Sequence, residues 1–241
     1  MRNFKKTLSF LLSTVIIVSS VVGVGTTVFA ATDEHTYKNF KYRILDDNTA
    51  EICGYTGKNA VVTVPDSIDS KPVTSIGRTA FYSGKIKEVT IPNTVRSIKW
   101  WAFYGCESLE KINLNFGLKT VGYGAFMNCK NLKSVSIPMS VTQICDDSFA
   151  VSCSTKKGVF DTYSKQTIST QQYSTDSSFT LEGYSGTVAE KYCNDNSLNF
   201  VSSGNVIYGD VNNNGTVEAA DAKLAKSLID TVPTERTDGC R

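Results

Sequence analysis

Between Lys87 and Ile144 the apolar positions recur with a constant step of 23 residues. The step links Ile91, Leu114 and Ile137. It links Val95, Leu118 and Val141, then Ile98, Val121 and Ile144, then Phe103, Phe126 and Phe149. An earlier turn joins through Val64, Ile76 and Phe81, with extra residues around Asp69–Pro72 that read as a loop insertion. One such turn cannot bury its own apolar side. Stacked turns can, because each covers its neighbour and like residues pile into ladders. Within each turn a short segment alternates apolar and polar residues, as a strand does: Lys87–Ile91, Lys111–Leu114 and Lys133–Ile137. Strands brought together by repetition pair in parallel. Val89/Ile91, Ile112/Leu114 and Val135/Ile137 are expected to face inward. Glu88/Thr90, Lys111/Asn113 and Ser134/Ser136 are expected to face outward. Pro65, Pro92 and Pro138 follow the strands, where no further ladder donor is needed.

Two flanking regions break the period. Residues 1–30 carry Arg2, Lys5 and Lys6, then an uncharged run from Leu8 to Val24, then Val28-Phe29-Ala30. That is the layout of a secretory signal peptide, with cleavage expected after Ala30 or Ala31. Ser13, Ser19, Ser20 and Gly23 interrupt the apolar run, which argues against a membrane anchor. Residues 154–178 are rich in Ser, Thr, Gln and Lys and carry no repeat, so a loop or distorted turn is expected there.

Charge and composition then narrow the function. The chain has 241 residues and a net charge of +2; without residues 1–30, 22 basic face 23 acidic residues, a net of −1. Such a chain is not built to hold a phosphate backbone, so no nucleic-acid partner is expected. His35 is the sole histidine, which leaves little for imidazole-based catalysis. Asp146-Asp147 reads as a solvated turn. Seven cysteines occur, an odd number and without a CxxC. Cys106, Cys129 and Cys153 fall on the repeat lattice, and buried free thiols are the expected state, because parallel columns aim their Cβ atoms the same way. Trp100, Trp101, Tyr104 and Tyr123 cluster between core columns and form a candidate ligand patch.

After a short linker at 202–206, Asp210, Asn212, Asn214, Thr216, Glu218 and Asp221 stand at loop positions 1, 3, 5, 7, 9 and 12, with Gly215 at position 6. This is the spacing of an EF-hand calcium loop, the glycine permitting the sharp turn and Thr216 offering its carbonyl. A helix is expected from about Ala220 to Ile229.

Val89-Thr90-Ile91-Pro92-Asn93-Thr94-Val95-Arg96-Ser97-Ile98, followed by Ala102-Phe103-Tyr104-Gly105-Cys106, resembles the bacterial surface leucine-rich repeat family with BspA-like repeats. Ala125-Phe126-Met127-Asn128-Cys129 resembles it equally, Leu181 to Phe200 is similar to its terminal segment, and residues 37–58 are similar to its entry. Gly209-Asp210-Val211-Asn212, with Asp221 closing the loop, resembles the first half of a dockerin. The resemblance implies a leucine-rich-repeat solenoid of stacked parallel β-strands, mainly β with short helical or irregular convex segments. A small α-helical, EF-hand-like half-dockerin follows. The implied layout is a signal peptide (1–30), an entry cap (31–58), a solenoid with its terminal cap (59–201), a linker (202–206) and a partial dockerin (207–241). It implies a secreted, non-catalytic binding or adhesion protein that serves polysaccharide catabolism. The repeats recognise a protein or polysaccharide, and the calcium-bound dockerin attaches to a cohesin on a cellulosome scaffold. Ala219, Ala220, Lys226 and Ser227 match the dockerin positions that touch cohesin. A structural cell-surface adhesin without cohesin binding is the alternative, and an enzyme with an unrecognised site a third.

Overall fold

The structure is a computed structural model and describes residues 33–161, 166–205 and Ala219, with side chains for 33–154, 172–204 and Ala219. The expected signal peptide, residues 1–30, lies outside the described residues. The chain enters through β1 (His35–Tyr37), β2 (Phe40–Ile44) and β3 (Ala50–Tyr55), an antiparallel meander. The coils follow as β4 (Val61–Thr63), β5 (Ser67–Ile68), β6 (Lys71–Ile76), β7 (Glu88–Thr90), β8 (Ser97–Ile98), β9 (Lys111–Asn113), β10 (Thr120–Val121), β11 (Ser134–Ser136) and β12 (Gln143–Ile144). The C-terminal part holds β13 (Val151–Asp161), β14 (Gln166–Thr175), β15 (Thr180–Ser185), α1 (Val188–Asn196) and β16 (Asn199–Asn205).

Each coil contributes one strand to each of two parallel ladders. In the first, β4, β7 and β9 pair with Val62, Val89 and Ile112 in register. In the second, β6, β8, β10 and β12 pair so that Ile76, Ile98, Val121 and Ile144 stack in register. The 23-residue column is therefore also a column of hydrogen-bond partners. The expected inward residues are buried, apart from Leu114, which is half-buried, whereas Lys111, Ser134 and Ser136 are exposed. The first ladder does not run unbroken, because β11 pairs with β15 and not with β9.

A file of aromatic rings runs along the core. Phe81, Phe103, Phe126 and Phe149 stack nearly parallel, with centroids 4.8, 5.1 and 4.9 Å apart. Phe40 and Tyr55 extend the file at the entry end, and Phe179 extends it at the other. The spacing follows from the rung separation of about 4.8 Å between hydrogen-bonded strands. α1 closes the far end: Tyr192 meets Phe149 edge-on at 6.1 Å, and its hydroxyl accepts the Phe149 amide at 3.1 Å.

Glu51 fastens the entry meander to the coils. Its carboxylate is buried (1% exposed) and holds Arg43 at 2.5 Å, Lys99 at 2.6 Å and the Ser75 hydroxyl at 2.8 Å. Burial alone would raise its pKa. Lys99, Ser75 and Arg43 outweigh burial and hold it below the usual carboxylate value.

The structure corrects the expectation in two places. Residues 154–178 are not a loop: β13 and β14 form a long antiparallel hairpin with Cys153 opposite Tyr173. Its Thr, Val, Ile and Tyr residues favour strands, but polar residues on both faces hid the alternation. The expected linker at 202–206 is strand through Asn205, because β16 pairs in parallel with β15 across the α1 crossover. Among the described residues the convex segments of the repeats are turns and the helix is α1; the expected Ala220–Ile229 helix lies outside the described residues, although neighbouring Ala219 is helical and exposed.

Two of the three lattice cysteines, Cys106 and Cys129, are buried as expected, whereas Cys153 is half-buried. The Cys106 thiol donates to the Phe81 carbonyl at 2.9 Å, and the Cys129 thiol donates to the Phe103 carbonyl at 3.2 Å. Cys53, Cys106, Cys129 and Cys193 carry free thiols, while Cys145 is disulfide-bonded. Burial pushes Cys106 up to about 12 and Cys129 well above its ordinary value. Both thiols are expected to resist maleimide at pH 8 until denaturant is added. Rapid labelling of either in the native protein, read by mass spectrometry, contradicts the ladder.

Candidate functional site

The turns beside the phenylalanine file set the aromatic surface. Two residues before each phenylalanine the chain enters the left-handed region: Thr79 (φ 56°), Trp101 (55°), Gly124 (57°) and Asp147 (54°). Three of these are not glycine, so each turn carries strain of roughly 1 kcal/mol or more. Backbone bonds between coils offset it, including Phe81 N to Ala102 O at 2.8 Å and Phe103 N to Ala125 O at 2.8 Å. Gly124 matters for a second reason. The Trp101 ring lies against it, and a Cβ there would stand 2.7 Å from Trp101 Cδ1.

The four aromatic residues singled out from sequence are all half-buried, and they do not form one cluster. Trp101 meets Tyr123 edge-on at 6.3 Å, with the Arg78 guanidinium 4.8 Å over its ring. Tyr104 turns the other way and stacks on Tyr82 at 5.5 Å with the rings 2° from parallel. Trp100 is half-buried with its Nε1 enclosed and unpartnered among the described residues. Tyr82, 58% exposed, was not picked out from sequence. Its position one residue after Phe81, as Tyr104 follows Phe103, was the available signal.

The hairpin adds a further aromatic residue. Tyr173 is exposed and hydrogen-bonds Cys153. Burial, followed by the hydrogen bond and charge of Asp147, pushes Tyr123 up to about 12. Burial, followed by the nearby Cys153 and Tyr82, raises Tyr104. Tyr104, Tyr123 and Tyr173 thus share Cys153 as a neighbour, and Tyr82 joins them through its stack on Tyr104. Sequence reading could not place Tyr173 there, because the hairpin that carries it was read as a loop.

Charged residues on the strand faces are linked from coil to coil. Lys87–Glu110, Lys111–Glu88, Lys130–Glu107 and Lys133–Asp176 pair at 3.1, 3.0, 2.6 and 3.0 Å. Several link residues one period apart and so report register more than stability, since exposed pairs contribute about 0–1 kcal/mol each. Ser178 and Lys133 hydrogen bonds hold Asp176 down to about 2.

His35 is exposed on the outermost strand with its ring 5.3 Å from Tyr42, and Asp146 is exposed at its turn. Of the predicted calcium and cohesin residues, Ala219 is described. Asp210, Asn212, Asn214, Thr216, Glu218, Asp221, Ala220, Lys226 and Ser227 lie outside the described residues. Among the described residues no group of three or more His, Cys, Asp or Glu could hold a metal. No helix among them is long and apolar enough to cross a membrane.

Residues 62–180 match the BspA type leucine rich repeat region, in six copies. Three solved structures are similar over part of the chain. A leucine-rich repeat protein from Bacteroides capillosus is 31% identical, over 47% of this chain and 88% of that one, with a TM-score of 0.45. A leucine rich cell surface protein from Faecalibacterium prausnitzii is 34% identical, over 48% of this chain and 34% of that one, with a TM-score of 0.46. A leucine-rich repeat protein from Bacteroides ovatus is 28% identical, over 48% of this chain and 38% of that one, with a TM-score of 0.42. No curated protein matches the chain.

Proposed function

We propose that the BspA-type repeats of this chain serve recognition, in a secreted, non-catalytic binding or adhesion protein tethered by a calcium-loaded partial dockerin. The observation that supports this most is how the repeats spend their chemistry. Buried thiols donate to backbone carbonyls, the buried carboxylate is neutralised by Lys99 and Arg43, and His35 stands apart at the entry edge. What the coils present outward is a set of aromatic rings and cations suited to holding a protein or a polysaccharide.

The tether rests on the sequence of residues 207–241. Asp210, Asn212, Asn214, Glu218, Asp221 and the Thr216 carbonyl make an all-oxygen donor set, which suits calcium over softer metals. Calcium there would neutralise the carboxylates and order the loop ahead of the helix. Ala219, Ala220, Lys226 and Ser227 would then face a cohesin.

The test uses the full chain on immobilised cohesin-bearing scaffold. Retention is expected in calcium and not in chelator, and Asp210→Ala is expected to weaken it at least tenfold. Absence of retention on every cohesin tried would remove the tether and leave a surface adhesin. In parallel, Trp100→Ala with Trp101→Ala is expected to abolish binding to whichever protein or polysaccharide the wild type holds. Unchanged binding would dismiss those two residues as the ligand patch.

A further inference from the structure

Tyr82 borders a shallow cavity of about 70 Å³, lined also by Tyr55, Lys58, Asn59 and Lys85 and floored by Phe81 and Ile86. The cavity lies where the aromatic file meets the entry meander, and Tyr55 belongs to both. Its volume is far below the ~300–1,000 Å³ of a pocket that engulfs a small molecule. It suits a substituent, with the rest of the ligand lying across the mouth.

The lining has a definite charge. Four lysines elsewhere on the coils, Lys87, Lys111, Lys130 and Lys133, each hold a carboxylate of a neighbouring coil or of the hairpin end, whereas Lys71 donates to the Asn48 amide oxygen. Lys58 and Lys85 are exposed and, among the described residues, neither has an ion-pair partner. No Asp or Glu lines the cavity. Two unneutralised cations therefore converge on one small opening beside a tyrosine. Tyr104 stacks on one face of Tyr82 and is not among the residues that line the cavity.

We propose that this cavity is a subsite for an anionic sugar, a pyranose carrying a carboxylate or sulfate. The sugar's C–H face stacks on Tyr82, its anionic group enters the cavity between Lys58 and Lys85, and Asn59 hydrogen-bonds a ring hydroxyl. A sugar fits better than an acidic peptide because it offers a flat apolar face and an anion on one rigid ring. An Asp or Glu side chain offers only the anion. The site rests on the recognition role proposed above and names the ligand class.

Calorimetry on the full chain tests it, with tri-galacturonate, a sulfated galactose trisaccharide, neutral galactotriose and a Glu-rich hexapeptide as probes. At least one anionic trisaccharide is expected to bind, and which of the two binds identifies the anion. Lys58→Ala and Lys85→Ala are each expected to weaken that binding about fivefold, and Tyr82→Ala about tenfold. Tyr82→Phe should retain it, and circular dichroism of each variant should match the wild type. Binding of neither anionic sugar, or binding unchanged in the Lys58→Ala/Lys85→Ala double variant, overturns the proposal. Binding of the peptide in place of the sugars also overturns it. Neutral-glycan binding lost with Trp101 but indifferent to Lys58 and Lys85 overturns this subsite while leaving the recognition role standing.

Discussion

Phe126→Ala is expected to lower the free energy of unfolding by about 4 kcal/mol. Phe126 is 1% exposed and stands between Phe103 at 5.1 Å and Phe149 at 4.9 Å, so its removal opens a cavity bounded by two rings that cannot close on each other. Large-to-small changes of this kind cost about 3–5 kcal/mol, against a total stability of about 5–15 kcal/mol for a domain. At about 2–4 °C per kcal/mol for a chain of this size, the melting temperature should fall by roughly 10 °C. The position adds a second consequence. In a stack where each coil touches only its neighbours, weakening a central interface decouples the two ends. Urea unfolding followed by circular dichroism should therefore broaden as well as shift. Phe126→Leu should recover most of the loss. A shift under 1 kcal/mol would mean that the ring file does not carry the core.

Lys99→Met is expected to cost about 3 kcal/mol at pH 7, because it leaves the buried Glu51 carboxylate short of a partner. Arg43 and Ser75 remain, which keeps the loss at the lower end of the range. The pH dependence carries the sign. In the wild type the folded pKa of Glu51 lies below its unfolded value. That contribution is full above the unfolded pKa and is lost as the pH falls through the folded one. Without Lys99 burial gains weight, the folded pKa rises, and the folded variant takes up a proton more readily. The gap between wild type and variant should therefore narrow as the pH drops from 7 toward 4. Urea midpoints for both proteins across that range measure it. A gap that stays constant would show that Glu51 and Lys99 are not coupled. The double variant Glu51→Gln/Lys99→Met should be more stable than Lys99→Met alone, since it removes the charge that was left behind.

Much of the solenoid was legible because its cause is local and repeated. The columns Ile98/Val121/Ile144 and Phe103/Phe126/Phe149 could be aligned by counting. The structure converts the first into paired strands and the second into stacked rings. The free, buried Cys106 and Cys129 followed from the same lattice. The aromatic patch was legible only in part. Counting put Trp101 and Tyr123 in the same region, and the structure brings their rings together. It stacks Tyr104 on Tyr82 instead, since each directly follows a phenylalanine of the core file one coil apart. The residues outside the period were the least legible. Hairpin β13/β14 has no repeat to betray it, and no periodic spacing marks Glu51 as an acid that the fold buries.

The sequence by itself determined the period, the parallel stacking, the inward file of apolar residues and the spacing of oxygen-bearing side chains near the C-terminus. Each is a property of residue type at fixed spacing, and a regular repeat turns spacing along the chain directly into distance between coils. Tertiary structure alone decided which acid is buried and by what it is neutralised. It decided where the hairpin sets Tyr173, and that Lys58, Lys85 and Tyr82 share one opening. These depend on contacts between segments unrelated by the period, where separation in sequence carries no information about separation in space.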